Sequence, residues 1–223
     1  MIVTKEKVVC LVSGGIDSPV ALVLAARWFE VLPLHFCLYP YTCEDSFLVA
    51  MRVLGDLKRK VGFEKAVVYP WSPVLRRIMG WRDRRYACLL CRRGMFRVAE
   101  LICQREGAAG IVTGESLGQK ASQTLSNLWA TTAGVRFPVL RPLLGLDKVE
   151  IEQLSKQLGI WHEVHAGCCY ATPRYPRTRA NPATVDSLFR ELNLDDLIRE
   201  QLGEALEVRS FQEEFRAFLE KLT

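Results

Sequence analysis

The residues Ser13-Gly14-Gly15-Ile16-Asp17-Ser18 close an apolar run, Val8 to Val12, and open an amphipathic one. Adjacent glycines let the backbone approach an anion, Ser13 and Ser18 add hydroxyl donors, and a helix starting here points its positive end at the bound charge. The segment reads as a phosphate-gripping loop between strand and helix. It is neither of the commoner nucleotide loops. No Lys follows the glycines and no third Gly completes G-x-G-x-x-G, so kinase and dehydrogenase chemistry is not expected.

Sulfur forms the second chemical group. Of the eight cysteines, four stand in pairs, Cys88 with Cys91 and Cys168 with Cys169. A chain with no charged leader followed by a long apolar segment, and no uncharged stretch of the roughly 18 residues a membrane span needs, is expected in the cytoplasm and away from membranes. Reducing conditions there make metal or redox chemistry a better expectation than disulfides. Two thiolates two residues apart can share a metal, and a third ligand must come from elsewhere, the downstream pair being the best donor. A closed zinc site with His162 or His165 is the alternative. Cys10, Cys37 and Cys103 fall on core-facing patterns, and Cys43 has no assigned role.

These groups need elements to hold them. Short, nearly unbroken apolar runs at 8–12, 31–37, 66–69 and 109–113 suit strands buried on both faces of a parallel sheet. Helical patterns lie between and after them, at 17–29, 46–61, 91–106, 119–131 and 147–158, the last capped by Asp147 and ended by Gly159. The alternation predicts a doubly wound α/β sheet, with ligands at the carboxyl ends of the strands where strand order reverses. The first loop, His35-Phe36 and Thr113-Gly114-Glu115 would then converge on one crevice. Residues 1–180 are expected to form this domain, and 181–223, acidic and Leu-rich, a helical C-terminal extension.

The formal charge of +5 is concentrated: eight arginines lie between positions 76 and 97 with Asp83 as the single acid. Trp71, Trp81 and Tyr86 stand nearby for base stacking, and a second basic and aromatic stretch runs from Tyr170 to Arg179. Such a pattern suits a nucleic-acid backbone.

SGGIDS resembles the PP-loop of ATP pyrophosphatases, which hold pyrophosphate as the leaving group while a substrate oxygen is adenylated. With TGESLGQKASQTLSNL at 113–128, RPLLGLDKVEI at 141–151, and HF followed by PYT at 35–42, the chain resembles the tRNA 4-thiouridine synthetase family from about residue 8 to 180. These are tRNA sulfurtransferases linked to thiamine biosynthesis. The resemblance implies that Mg2+ and ATP adenylate a uridine oxygen in tRNA and that sulfur then replaces AMP. It implies ATP contacts at Leu11, Val12, His35, Phe36, Arg92, Gly114 and Gln123, beside the loop residues Ser13, Gly14, Gly15 and Ser18. Asp17 is assigned to the magnesium or its water. Cys88, Cys91 and one of Cys168 and Cys169 would hold an iron–sulfur cluster, with the downstream pair serving sulfur transfer. The sulfur donor would be sulfide or a cysteine desulfurase.

Members of the family usually begin with a ferredoxin-like domain and a THUMP domain that measures the tRNA acceptor end. Here twelve residues precede Ser13. RNA contact is therefore expected from the Arg76–Arg97 region and the tail, from a separate RNA-docking protein, or from a homodimer offering two basic faces. A PP-loop ligase acting on a small carboxylate, and a non-catalytic iron–sulfur or RNA-binding module, are the alternatives from other classes.

Overall fold

A computed structural model describes residues 5–163, 169–211 and 219. Strands β1 (Lys7–Leu11), β2 (Glu30–Cys37), β3 (Ala66–Pro70), β4 (Gly110–Val112), β5 (Val139–Leu140) and β6 (Leu206–Val208) form one sheet in the order β5-β4-β1-β2-β3-β6. All pairings are parallel except β3 with β6. The chain builds outward from β1 to β3 and then returns to place β4 on the other side of β1. That reversal opens a crevice beyond the carboxyl ends of β1 and β4.

The helices are α1 (Asp17–Ala25), α2 (Glu44–Val61), α3 (Ser72–Met79), α4 (Ala87–Glu106), α5 (Leu125–Thr132), α6 (Lys148–Gln157), α7 (Pro182–Glu191) and α8 (Leu194–Gln201). Two hydrophobic layers flank the sheet. One joins Val20, Leu22, Met51, Leu54 and Ile151 of α1, α2 and α6 to the strands, and the other joins Leu75, Phe96, Ile102, Val185 and Ile198 of α3, α4, α7 and α8. Local sequence marks the helix ends. Glu44 and Asp45 open α2 while Lys58, Arg59 and Lys60 close it before Gly62, whose φ of 76° fits the left-handed cap. Asp147 and Glu150 form a reciprocal capping box on α6.

Several expectations need correction. The first helix is not amphipathic: Pro19, Val20, Ala21, Leu22, Val23 and Ala25 are all buried between sheet, α2 and α6, and the helix ends at Ala25, with 26–29 forming a turn. The pattern at 119–131 yields a helix only from Leu125. Gly118 sits at φ 76°, and Gly118 N–H to Gln123 O (3.0 Å) with Gln123 N–H to Lys120 O (2.8 Å) ties residues 118–123 into a loop. Strands β5 and β6 and helix α3 lacked long periodic signals.

The core runs across residue 180. Val185, Leu194 and Ile198 are fully buried, and Tyr69 Oη donates to the Ile198 carbonyl at 2.8 Å. Arg97 pairs with Asp195 and Glu100, and Arg93 with Asp186. Arg97→Ala is expected to lower stability by about 2 kcal/mol through loss of the charge-assisted bond to Asp195 and exposure of the buried Glu100 carboxylate to no partner charge. Urea unfolding of the variant checks this, with the largest loss of protection expected in α8 by hydrogen exchange. No helix of the described residues is long and apolar enough to cross a membrane.

Candidate functional site

The loop after β1 is braced by its own hydroxyls. Ser13 N–H donates to Ser18 Oγ at 2.8 Å, the two hydroxyls lie 3.1 Å apart, and Gly15 N–H donates to Ser13 Oγ at 3.3 Å. Ile16 stands at the N-cap of α1 and offers no side-chain acceptor, so the first amides of the helix face the crevice without a cap. A bound phosphate would supply it. Gly114, at the end of β4, packs against this turn: a Cβ there would lie 2.6 Å from Ser18 N and Cα and 2.7 Å from the Asp17 carbonyl carbon. The glycine is required by the approach of two backbones. His162 Nε2 reaches the Gly14 carbonyl at 3.2 Å from the outer side.

A crevice of about 1280 Å³ joins the loop to Leu11, Val12, His35, Phe36, Arg92, Gly114 and Gln123. The structure thus brings together every position singled out for nucleotide contact. His35 is buried on β2 with Nδ1 at 2.9 Å from the Val12 carbonyl. A carbonyl only accepts, so Nδ1 carries the proton and Nε2 is left as an acceptor. Burial pulls His35 down to about 4. The ring is neutral at physiological pH. Its contribution to stability is present above the ordinary value of 6.5 and is lost as pH falls from there toward about 4, since only the unfolded chain gains the proton in that window. His35→Asn, which retains a donor for Val12, is expected to flatten the stability profile between pH 7 and pH 4 by up to about 3 kcal/mol. Denaturant melts across that range provide the check.

Arg92 reaches the crevice from α4 and is held by Glu115, a carboxylate only 1% exposed. The other oxygen of Glu115 accepts from Arg141 Nε at 2.8 Å. One buried charge therefore aligns two guanidiniums, and Arg92 Nε has no hydrogen-bond partner among the described residues. Gln123 is also buried in the crevice wall, with Oε1 unpartnered among the described residues. Asp17 accepts from Lys148 Nζ at 2.6 Å, so the carboxylate assigned to magnesium meets a lysine across the crevice mouth.

Three thiols share this crevice. Cys88 and Cys91 lie on the first turns of α4, and Cys169 arrives from far along the chain because Tyr170 N–H donates to the Tyr41 carbonyl at 2.8 Å. Cys91 and Cys169 are free cysteines. Burial, then the neighbouring Cys169 and Cys88, pushes the Cys91 thiol up to about 12. Among the described residues no group of three or more His, Cys, Asp and Glu side chains stands at ion-binding geometry. The thiols fit a thiophilic centre in chemical kind, and Cys88 and Cys169 are both electrostatic neighbours of Cys91. Cys168, singled out as ligand and for sulfur transfer, and His165 lie outside the described residues. Cys10, Cys37 and Cys103 are buried.

The basic stretch divides on folding. Arg92, Arg93 and Arg97 are engaged by carboxylates from distant segments, and Arg77 donates to the Leu192 carbonyl. Trp71 is fully buried and cannot stack on a base. Arg76, Arg82, Arg84 and Arg85 remain exposed, with Arg177 over the Tyr86 ring at the crevice edge.

Sequence reasoning missed Lys148, Arg141 and the role of Asn127. Lys148 had one signal: a cation on the first turn of a helix opposes the helix dipole, which asks for a nearby acid. Asn127 is fully buried and staples two crevice walls, donating to the Ala121 and Arg177 carbonyls at 2.7 and 2.9 Å and accepting from Ala180 N–H at 3.0 Å.

Residues 3–194 match the family model for thiamine biosynthesis protein (ThiI). A curated relative, the probable tRNA sulfurtransferase of Methanothermobacter thermautotrophicus, is 37% identical over 93% of this chain and 55% of its own length. The chain spans about half the length of the curated relatives it matches. A crystal structure of a 4-thiouridine synthetase–RNA complex with bound ATP superposes with a TM-score of 0.81 at 32% identity, covering 91% of this chain and 55% of that one. The U34-tRNA thiolase NcsA from Methanococcus maripaludis, solved with its [4Fe-4S] cluster, shares the fold at a TM-score of 0.55 and 15% identity, over 97% of this chain and 79% of that one.

Proposed function

We propose, from the premise that the chain belongs to the thiamine biosynthesis protein (ThiI) family, that its crevice uses ATP to activate a uridine oxygen in tRNA and exchanges that oxygen for sulfur. The observation that carries this reading is that the anion loop, the Glu115-held Arg92 and the three thiols of Cys88, Cys91 and Cys169 line one crevice. A ligase coupling a carboxylate to ammonia would have no use for the thiols.

In this reading the triphosphate lies on the amides of Gly14 to Ser18, with Ser13 and Ser18 as further donors. The adenine enters between Leu11–Val12 and His35–Phe36, where Nε2 of neutral His35 accepts from an amino group. The uridine O4 attacks the α-phosphorus, pyrophosphate leaves onto the loop, and the fixed donors of the loop and Arg92 meet the charge that develops there without reorganising. Asp17 positions Mg2+ or its water, and Lys148, released from Asp17, faces the phosphates. Sulfur then attacks C4 and AMP departs with the original oxygen. Cys88, Cys91 and one of Cys168 and Cys169 would hold an iron–sulfur cluster, which when bound would supply a sulfide-binding iron. Sulfide would be the donor, supplied directly or by a cysteine desulfurase with a thiol reductant that brings its persulfide sulfur to the sulfide level. Exposed arginines 76, 82, 84 and 85 and the Arg177–Tyr86 pair suit the RNA backbone, aided by a separate docking module or a second copy of the chain.

The test is RNA-dependent release of pyrophosphate from ATP. Asp17→Ala and Lys148→Met are each expected to lower the rate on the order of 100-fold while leaving the thermal melt near that of the unaltered protein, because their ion pair lies at the exposed mouth. Unchanged rates in both variants would remove the phosphate assignment.

A further inference from the structure

Trp71 is one of the largest fully buried side chains, yet its indole is not merely filling space. Its Nε1–H donates to Cys91 Sγ at 3.1 Å. The ring is fixed on every side that matters to this bond. Its backbone N–H donates to the Cys37 carbonyl at 2.9 Å, the Phe36 ring meets it edge-on at 5.1 Å, and the Tyr69 ring lies at 5.9 Å. Across from it stands Gly94, one turn along α4 from Cys91, where a Cβ would fall 2.8 Å from the indole Cη2. The helix that carries the sulfur thus gives up a side chain to let the indole in.

A partly buried thiolate such as that of Cys91 is stabilised chiefly by a cation or a hydrogen-bond donor. The indole N–H is such a donor and, unlike a hydroxyl, can only donate. Groups that hydrogen-bond a metal ligand from behind fix its direction and tune its basicity. We propose that Trp71 is a positioning residue for the Cys91 sulfur, holding it by N–H···S toward Cys88 and Cys169 so that the three can close on a thiophilic metal centre. The proposal rests on the reading that these cysteines are metal ligands.

The experiment titrates Co2+ under anaerobic conditions into the reduced, metal-free full chain and follows the thiolate-to-cobalt charge-transfer band. Trp71 is replaced by phenylalanine and, to keep bulk and shape, by β-(3-benzothienyl)alanine, which puts sulfur where the N–H was. Trp81→Phe is the control, because the Trp81 indole N–H is buried without a hydrogen-bond partner among the described residues. Both Trp71 variants are expected to weaken Co2+ binding by about 10-fold or more, with the control unchanged. Unaltered affinity in the folded benzothienyl variant would overturn the role of Trp71. Absence of the thiolate band in the unsubstituted protein would overturn the cysteine-site reading beneath it.

Discussion

Gly114→Ala is expected to reduce ATP-dependent pyrophosphate release by about 100-fold or more. The added methyl would meet backbone atoms of Asp17 and Ser18 at 2.6 to 2.7 Å, and backbone cannot rotate away as a side-chain tip can. Either β4 or the first turn of α1 must retreat by a good fraction of an ångström. Displacing a catalytic loop by about 1 Å costs on the order of 100-fold in rate, while overpacking of this kind costs about 1–3 kcal/mol in stability. The variant should therefore remain folded at 25 °C yet lose pyrophosphate release far out of proportion to its melting temperature. Steady-state kinetics with a thermal melt of the same sample makes the comparison. Wild-type kinetics would mean that the loop does not work in the position described.

Glu115→Ala is expected to be the most destabilising single change in the site. It leaves the guanidiniums of Arg92 and Arg141, 25% and 16% exposed, without the carboxylate between them. Breaking a buried pair by removing one partner costs about 3–5 kcal/mol, and with two cations on one carboxylate the upper end applies. For a chain of this size that corresponds to a fall of roughly 10 °C in melting temperature. Glu115→Gln keeps the shape and hydrogen-bonding atoms but removes the charge, and should fall between. Both variants should also bind ATP more weakly, because Arg92 is no longer aimed. A melt within about 1 °C of the parent would contradict the role given to Glu115.

The parallel sheet and its crevice were legible because buried parallel strands are written as unbroken apolar runs, and the glycine pair after the first run has few other uses. Short edge elements were not. Val139–Leu140 and Leu206–Val208 are too brief to carry a period, and their strand character comes from β4 and β3 beside them. The arginine run divides on folding for a related reason. Asp186 and Asp195, which neutralise Arg93 and Arg97, lie about a hundred positions away in the chain. Local charge counting sees one basic face where folding draws Arg92, Arg93 and Arg97 into ion pairs and leaves Arg76, Arg82, Arg84 and Arg85 exposed. From the sequence Trp71 suits base stacking, because an aromatic side chain is compatible with exposure and with burial alike. Its packing against Gly94 becomes visible only once α3 and α4 touch.

The measurement that tests the central claim most directly is product analysis. Reduced protein, reconstituted anaerobically with iron and sulfide, is incubated with ATP, Mg2+, sulfide and unmodified tRNA, and the RNA is digested to nucleosides for mass spectrometry. Thiouridine formed one-for-one with AMP and pyrophosphate, and lost in Cys91→Ala while pyrophosphate release persists, is the predicted result. Pyrophosphate release with no sulfur entering the RNA in the unsubstituted protein would contradict it.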